Sequence, residues 1–142
     1  MENKTIAEMD TIALTRELGK KIQQEEAFIK YQMAKQNADN DAALQKLISE
    51  FSDKREALSA QSESEEANAA RAQELSREMR RAYGEIMSNE SMIAYNDAKE
   101  AYDVLMNRIS AIIQKTFEGE DPETADYSPS CSGSCATCGG CG

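Results

Sequence analysis

The sequence predicts an all-α fold, an antiparallel helical hairpin or bundle of about five helices with a disordered, cysteine-rich C-terminal tail. Apolar residues recur at three- and four-residue spacing from Ile6 to Phe117. No stretch alternates with the two-residue period of a strand, and no proline interrupts that span. Both prolines and all four cysteines lie beyond it. The expected organisation is therefore a helical body over residues 1–117, an acidic flexible linker over 118–130, and a cysteine-rich metal- or cluster-binding tail over 131–142.

Within the body, Ile12, Leu18 and Ile22 suit a first helix. A second apolar face runs through Phe28, Tyr31 and Ala34 (or the stem of Lys35) before the polar stretch Ala38-Asp39-Asn40-Asp41. Leu44, Leu47, Ile48, Phe51 and Leu58 form the next stripe, with the aliphatic stem of Arg55 at its edge. Gln61 to Glu66 reads as a loop. Ser62 and Glu65 have capping-box spacing, which predicts that a new helix starts there. That helix continues through Leu75, Met79, Ala82, Tyr83, Ile86 and Met87. Ser88-Asn89 then caps a last helix bearing Met92, Tyr95, Ala98, Tyr102, Leu105, Ile109, Ile112 and Ile113.

The two halves of the body resemble each other weakly. Gly19-Lys20-Lys21-Ile22 with Tyr31 to Lys35 parallels Gly84-Glu85-Ile86-Met87 with Tyr95 to Lys99, offset by 65 residues at the glycines and 64 at the tyrosines. Each half reads as helix, short break, helix. The stripes contain mostly Leu, Ile, Met and Ala, and the chain has only three Phe and five Tyr to add bulk. Long amphipathic helices with so thin a core find further burial by self-association or by docking a partner. The last helix, through Tyr95, Ala98, Tyr102, Leu105, Ile109 and Ile112, is the expected partner-facing stripe.

Charge and composition narrow the function. A net charge of −10 argues against direct nucleic-acid binding, because a phosphate backbone needs a basic face. The one basic cluster, Arg71, Arg77, Arg80 and Arg81, is interleaved with Glu74 and Glu78 and reads as a solvated, ion-paired face. No apolar run has the length of a signal peptide or membrane span, so a cytoplasmic protein with no membrane partner is expected. The chain has no histidine, which removes the usual general base and the usual partner of a nucleophile. An enzyme is not expected.

The chemistry gathers in the tail. Cys131, Cys135, Cys138 and Cys141 follow a Cys-x3-Cys-x2-Cys-x2-Cys spacing. The intervening Ser, Gly, Ala and Thr residues are small enough to let a backbone wrap a thiolate-bound group. In a reducing compartment such a cluster points to metal rather than disulfides. Iron–sulfur sites commonly use Cys-x2-Cys-x2-Cys runs, as in Cys135, Cys138 and Cys141. Zinc sites usually separate two Cys-x2-Cys pairs by a longer gap than this tail contains. The first three cysteines also match the triad spacing of radical S-adenosylmethionine enzymes, but a helical chain lacks the α/β barrel that chemistry requires. A Cys138-Gly139-Gly140-Cys141 redox pair lacks its strand–helix setting. An iron–sulfur cluster, zinc and a metal-free thiol tail all remain open.

Two sets of motifs carry a family resemblance. One is Tyr83-Gly84-Glu85-Ile86-Met87-Ser88-Asn89, followed by Tyr95-Asn96-Asp97-Ala98-Lys99-Glu100 and Ile109-Ser110-Ala111-Ile112-Ile113. The other is Leu18-Gly19-Lys20-Lys21-Ile22 leading into Phe28-Ile29-Lys30-Tyr31. Together they resemble the YlbF/YmcA family of small helical bacterial regulators over roughly residues 8–117. A departure is Glu90, where relatives often carry proline. The resemblance implies a non-enzymatic regulator of competence, sporulation and biofilm formation. It also implies a complex with related small helical proteins (a homo- or hetero-oligomer) and with an RNA-degrading endonuclease. It implies a [4Fe–4S] cluster as well, with Cys131, Cys135, Cys138 and Cys141 as ligands. The alternative is a zinc-binding or metal-free helical adaptor whose tail is a docking or redox element.

Overall fold

The computed structural model describes residues 5–129, and these are helical with no strand. After a short 3-10 turn (Ile6–Glu8) come α1 (Thr11–Gln24), α2 (Glu26–Asn40), α3 (Ala42–Glu63), α4 (Ala69–Ser88) and α5 (Glu90–Phe117). The expected all-α architecture and helix number are observed. By its internal contacts the chain divides within α5 into one unit up to Tyr102 and a second from Asp103 onward.

In the first unit α3 and α4 form an antiparallel pair. Leu44 is completely buried and Leu75 is 2% exposed, with Ala82 and Ile86 also inside. Burying a leucine to this degree contributes roughly 1.5–3 kcal/mol relative to leaving it in water. Ala38, Leu44 and Ile86 make the central cluster, and Leu47, Phe51, Met92 and Tyr95 pack around it. Across the pair, Lys54 Nζ lies 2.7 Å from Glu78 Oε2, and the ammonium holds that carboxyl below its ordinary range.

Three helix junctions are single residues in extended conformation. Glu25 lies between α1 and α2, Asp41 between α2 and α3, and Asn89 between α4 and α5. The polar cap predicted at Asn89 is observed, since Asn89 Oδ1 accepts from the Met92 N–H at 3.1 Å. Glu90 in place of proline leaves the break intact, with φ −69° and ψ 132° at Asn89. Asp41 Oδ1 accepts from the Leu44 N–H, and Asp41 Oδ2 accepts from the Asn89 side-chain amide at 3.2 Å. The breaks at Asp41 and Asn89 therefore sit side by side.

The internal repeat is visible as matched breaks. Glu25 donates its N–H to the Ile22 carbonyl, and Asn89 donates its own to the Ile86 carbonyl. Both residues of the second pair lie 64 positions after those of the first. The repeated tyrosines meet: the Tyr31 and Tyr95 rings are 5.7 Å apart, and Tyr31 stacks on Tyr102 at 4.6 Å. Phe28 also faces Tyr102, at 6.3 Å. The start of α2 thus packs against a later part of α5 than its end does, so the two helices run antiparallel.

One prediction of the sequence is corrected. The loop and capping box placed at Ser62 and Glu65 are displaced, because α3 continues to Glu63. The Ser62 hydroxyl is used inside α3, donating to the Ser59 carbonyl at 2.7 Å. The cap of α4 is Asn68, whose Oδ1 accepts from the N–H groups of Ala70 and Arg71. Ser62 lies inside α3 and six residues before the cap position of α4, so it cannot serve the first N–H groups of that helix. Asn68, ahead of an alanine-rich turn, does so.

Candidate functional site

The four candidate ligands, Cys131, Cys135, Cys138 and Cys141, lie outside the described residues. Among the described residues, no group of three or more His, Cys, Asp or Glu side chains is placed to hold a metal ion. The acidic side chains with displaced pKa values are held ionised rather than poised as acids. Asp41 is lowered first by the Leu44 N–H and then by Ser91 and Asn89. Glu26 is lowered by Lys30, and Glu8 by Thr5. These are caps and surface pairs, and each has a structural use.

The described residues offer surfaces instead of a pocket. No residue of α1 is buried, and Ile12 is 64% exposed while Leu18 is 36% exposed. The corresponding face of α4, through Ala82 and Ile86, is buried. The stripe predicted on α5 divides. Tyr95 and Tyr102 contact Tyr31, whereas Leu105, Ile109 and Ile112 are only half-buried. No residue of α5 is fully buried, and Val104, Ile113 and Phe117 stand out into solvent, with Phe117 78% exposed. Sequence reasoning named Ile113 on this helix but left it out of the partner-facing stripe, and it missed Val104. Its signal was present: an aliphatic residue directly before Leu105.

The second unit contains an arrangement that the sequence did not announce. After Phe117 the chain reverses at Gly119, which has φ +90°. The Gly119 N–H donates to the Thr116 carbonyl and the Glu120 N–H to the Lys115 carbonyl. This is a Schellman termination, in which glycine occupies the left-handed position without steric cost. Asp121 then organises a turn, with its side chain accepting from the Glu123 N–H and its carbonyl from the Ala125 N–H. Ala125 is 7% exposed. Arg108 grips Asp126 with two parallel bonds, Nε to Oδ1 at 3.0 Å and Nη2 to Oδ2 at 2.7 Å. That guanidinium, helped by the Tyr127 N–H, lowers the Asp126 carboxyl to about 2. Val104, Asn107, Arg108, Asp126 and Tyr127 line a shallow notch of about 340 Å³. As far as it is described, the acidic segment from Glu118 to Pro129 therefore follows a defined return path along α5.

No helix among the described residues is long and apolar enough to cross a membrane. No curated protein and no solved structure matches the chain. The family described as control of competence regulator ComK, YlbF/YmcA, matches residues 11–118, which takes in all five helices and stops short of the cysteines. The matched breaks, the paired tyrosines and the exposed helix faces are thus features of a chain that belongs to the YlbF/YmcA (Com_YlbF) family of competence regulators.

Proposed function

We propose that this protein is a non-enzymatic, cytoplasmic regulator whose helical body docks related helical proteins and whose tail carries a [4Fe–4S] cluster. The observation that supports it best is the meeting, in one chain, of a YlbF/YmcA body and four cysteines within eleven residues. The donor set fits the group: four thiols with small spacers, in a chain that has no histidine to compete. Cys131, Cys135, Cys138 and Cys141 would hold it. When bound, such a cluster supplies one-electron redox chemistry and sensitivity to oxidants. The regulated process is competence, with sporulation, biofilm formation and an endoribonuclease complex as the wider setting. The net charge of −10 keeps the chain itself off nucleic acid.

Anaerobic purification followed by iron, sulfide and zinc analysis tests the metal. The expected result is a brown protein with iron and sulfide in equal amounts. Zinc in a colourless protein, or no metal at all, overturns the cluster and leaves a helical adaptor. Replacing Cys135 and Cys138 together by Ser should abolish bound iron while circular dichroism stays unchanged. Docking through α5 is tested by Leu105→Asp with Ile109→Asp, which should dissociate the complex before the chain unfolds. A compact monomer by light scattering that needs no partner for its activity counts against docking.

A further inference from the structure

Two rows of apolar side chains stand open on this molecule. On α1, Leu14, Leu18 and Ile22 recur every four residues, and both leucines are exposed. On the last part of α5, Leu105, Ile109, Ile113 and Phe117 recur at the same spacing, with Ile113 and Phe117 exposed. We propose that the α1 row of one copy docks on the α5 row of a second copy, and that two copies make this contact reciprocally as a dimer. The proposal rests on the reading of α5 as a docking face and names what docks there.

The internal repeat marks the α1 row as a packing surface. Leu18 and Ile22 lie 64 positions before Ala82 and Ile86, and α4 buries both of the latter. The same two positions on α1 carry larger or equal side chains, yet no residue of α1 is buried. Rows of four-residue spacing interdigitate with one another, ridge into groove, at a crossing angle of about −50°. Charge then selects the occupant. α1 has three cations, Arg16, Lys20 and Lys21, against one carboxylate, Glu17, in a chain whose net charge is −10. From Asp103 to Tyr127 six carboxylates stand against two cations, Arg108 and Lys115. Glu118, Glu120 and Glu123 are exposed beyond the end of the α5 row. Either row docked on its own duplicate would bring like charges together, whereas α1 on α5 joins unlike ones. Every copy carries one row of each kind, so a two-fold axis uses both and leaves no open end. Leucine and phenylalanine burial supplies the strength, and the charges supply the choice of face. Each contact is narrow, so association in the range of ~10–100 µM is expected, with the dilute chain monomeric.

Sedimentation equilibrium of the full chain in reductant tests this, and a dimer should form as concentration rises. The dimer should persist with all four cysteines changed to Ser. Leu18→Asp should weaken it at least ~tenfold, as should Ile113→Asp with Phe117→Asp. None of these side chains is buried, so circular dichroism should not change. Lys20→Glu with Lys21→Glu, and separately Glu120→Lys with Glu123→Lys, should each weaken the dimer about fivefold, because it contains the reversed contact twice. An equimolar mixture of those two charge variants should recover the parent affinity, since both contacts of the mixed dimer again join unlike charges. A monomer at ~500 µM, a dimer lost with the cysteines, or no recovery in the mixture overturns the proposal. If the α5 variant dissociates and Leu18→Asp does not, the α1 contact falls and docking through α5 stands. If the α5 variant stays dimeric, both fall.

Discussion

The junctions at Glu25 and Asn89 share a backbone and differ in everything attached to it. Both are extended, near φ −68°, and both return an N–H to an isoleucine carbonyl. Asn89 also caps the next helix and bonds to Asp41 on a neighbouring chain segment. Glu25 makes no side-chain capping bond and, among the described residues, pairs with Lys21, one turn back. The helices before the junctions differ in the same direction: α4 buries Leu75, Ala82 and Ile86 against the rest of its unit, whereas no residue of α1 is buried. The repeat thus transmits the position of a break, whereas packing decides how firmly that break is held. An equal backbone at the two sites does not mean equal stability.

The most severe way to break this comparison is to remove buried side chains from one half. Leu75→Ala should cost about 2–5 kcal/mol through lost transfer energy and a residual cavity. Leu18→Ala, in the matching helix of the first half, should stay within about 1 kcal/mol. Urea unfolding of both variants checks the difference. Comparable losses would mean that α1 is packed as tightly as α4.

Next comes the cap. Asn89→Ala should destabilise by about 1 kcal/mol, because two orphan groups lose their partner. Glu25→Ala should change stability by a few tenths of a kcal/mol at most, as expected for an exposed pair. A double-mutant cycle of Asp41→Ala and Asn89→Ala should be non-additive, and strict additivity would deny that the two junctions are joined. Tyr31→Leu tests the contact between the halves. Losing the stack on Tyr102 should cost about 0.5–1.5 kcal/mol beyond area, measured by thermal unfolding.

The smallest effect on stability is expected at the exposed Arg108–Asp126 pair. Its signature is a titration. The Asp126 carboxyl is depressed from 3.8 to about 2, so its pairing is complete above pH 3.8 and fades as pH falls through about 2. Carboxyl NMR should find this low midpoint, and Arg108→Gln should move it upward. An Asp126 that titrates in the ordinary range in the parent chain contradicts the bidentate pair.

How much of this was legible follows from how local each feature is. The stripes of α3, α4 and α5 obey helical periodicity, so their existence could be read directly. Asn89 was legible because the cap and the helix it opens are adjacent in sequence. Asn68 was missed because Ser62 and Glu65 present the same local pattern. The choice between them depends on how far α3 continues, and it runs past Ser62 to Glu63. The pairing of Asp126 with Arg108 spans eighteen residues and exists only because Gly119 reverses the chain. Its one local signal was a glycine two residues after the last apolar position of α5. The cysteines are the converse case. Their spacing points to thiolate chemistry without choosing among its occupants, and they lie beyond the described part of the fold.

The side-by-side breaks at Asp41 and Asn89 have a mechanical consequence. From that joint, α3 and α4 run out together for about twenty residues, or ~30 Å at 1.5 Å per residue. A rotation of about 10° at the joint would sweep the hairpin tip, Ser64 to Asn68, through ~5 Å over that length. The joint is held by the Asn89 amide and the Ser91 hydroxyl on the Asp41 carboxylate and by a small cluster around Ala38, Leu44 and Ile86. A partner that grips the tip therefore works with a long lever against a short fulcrum.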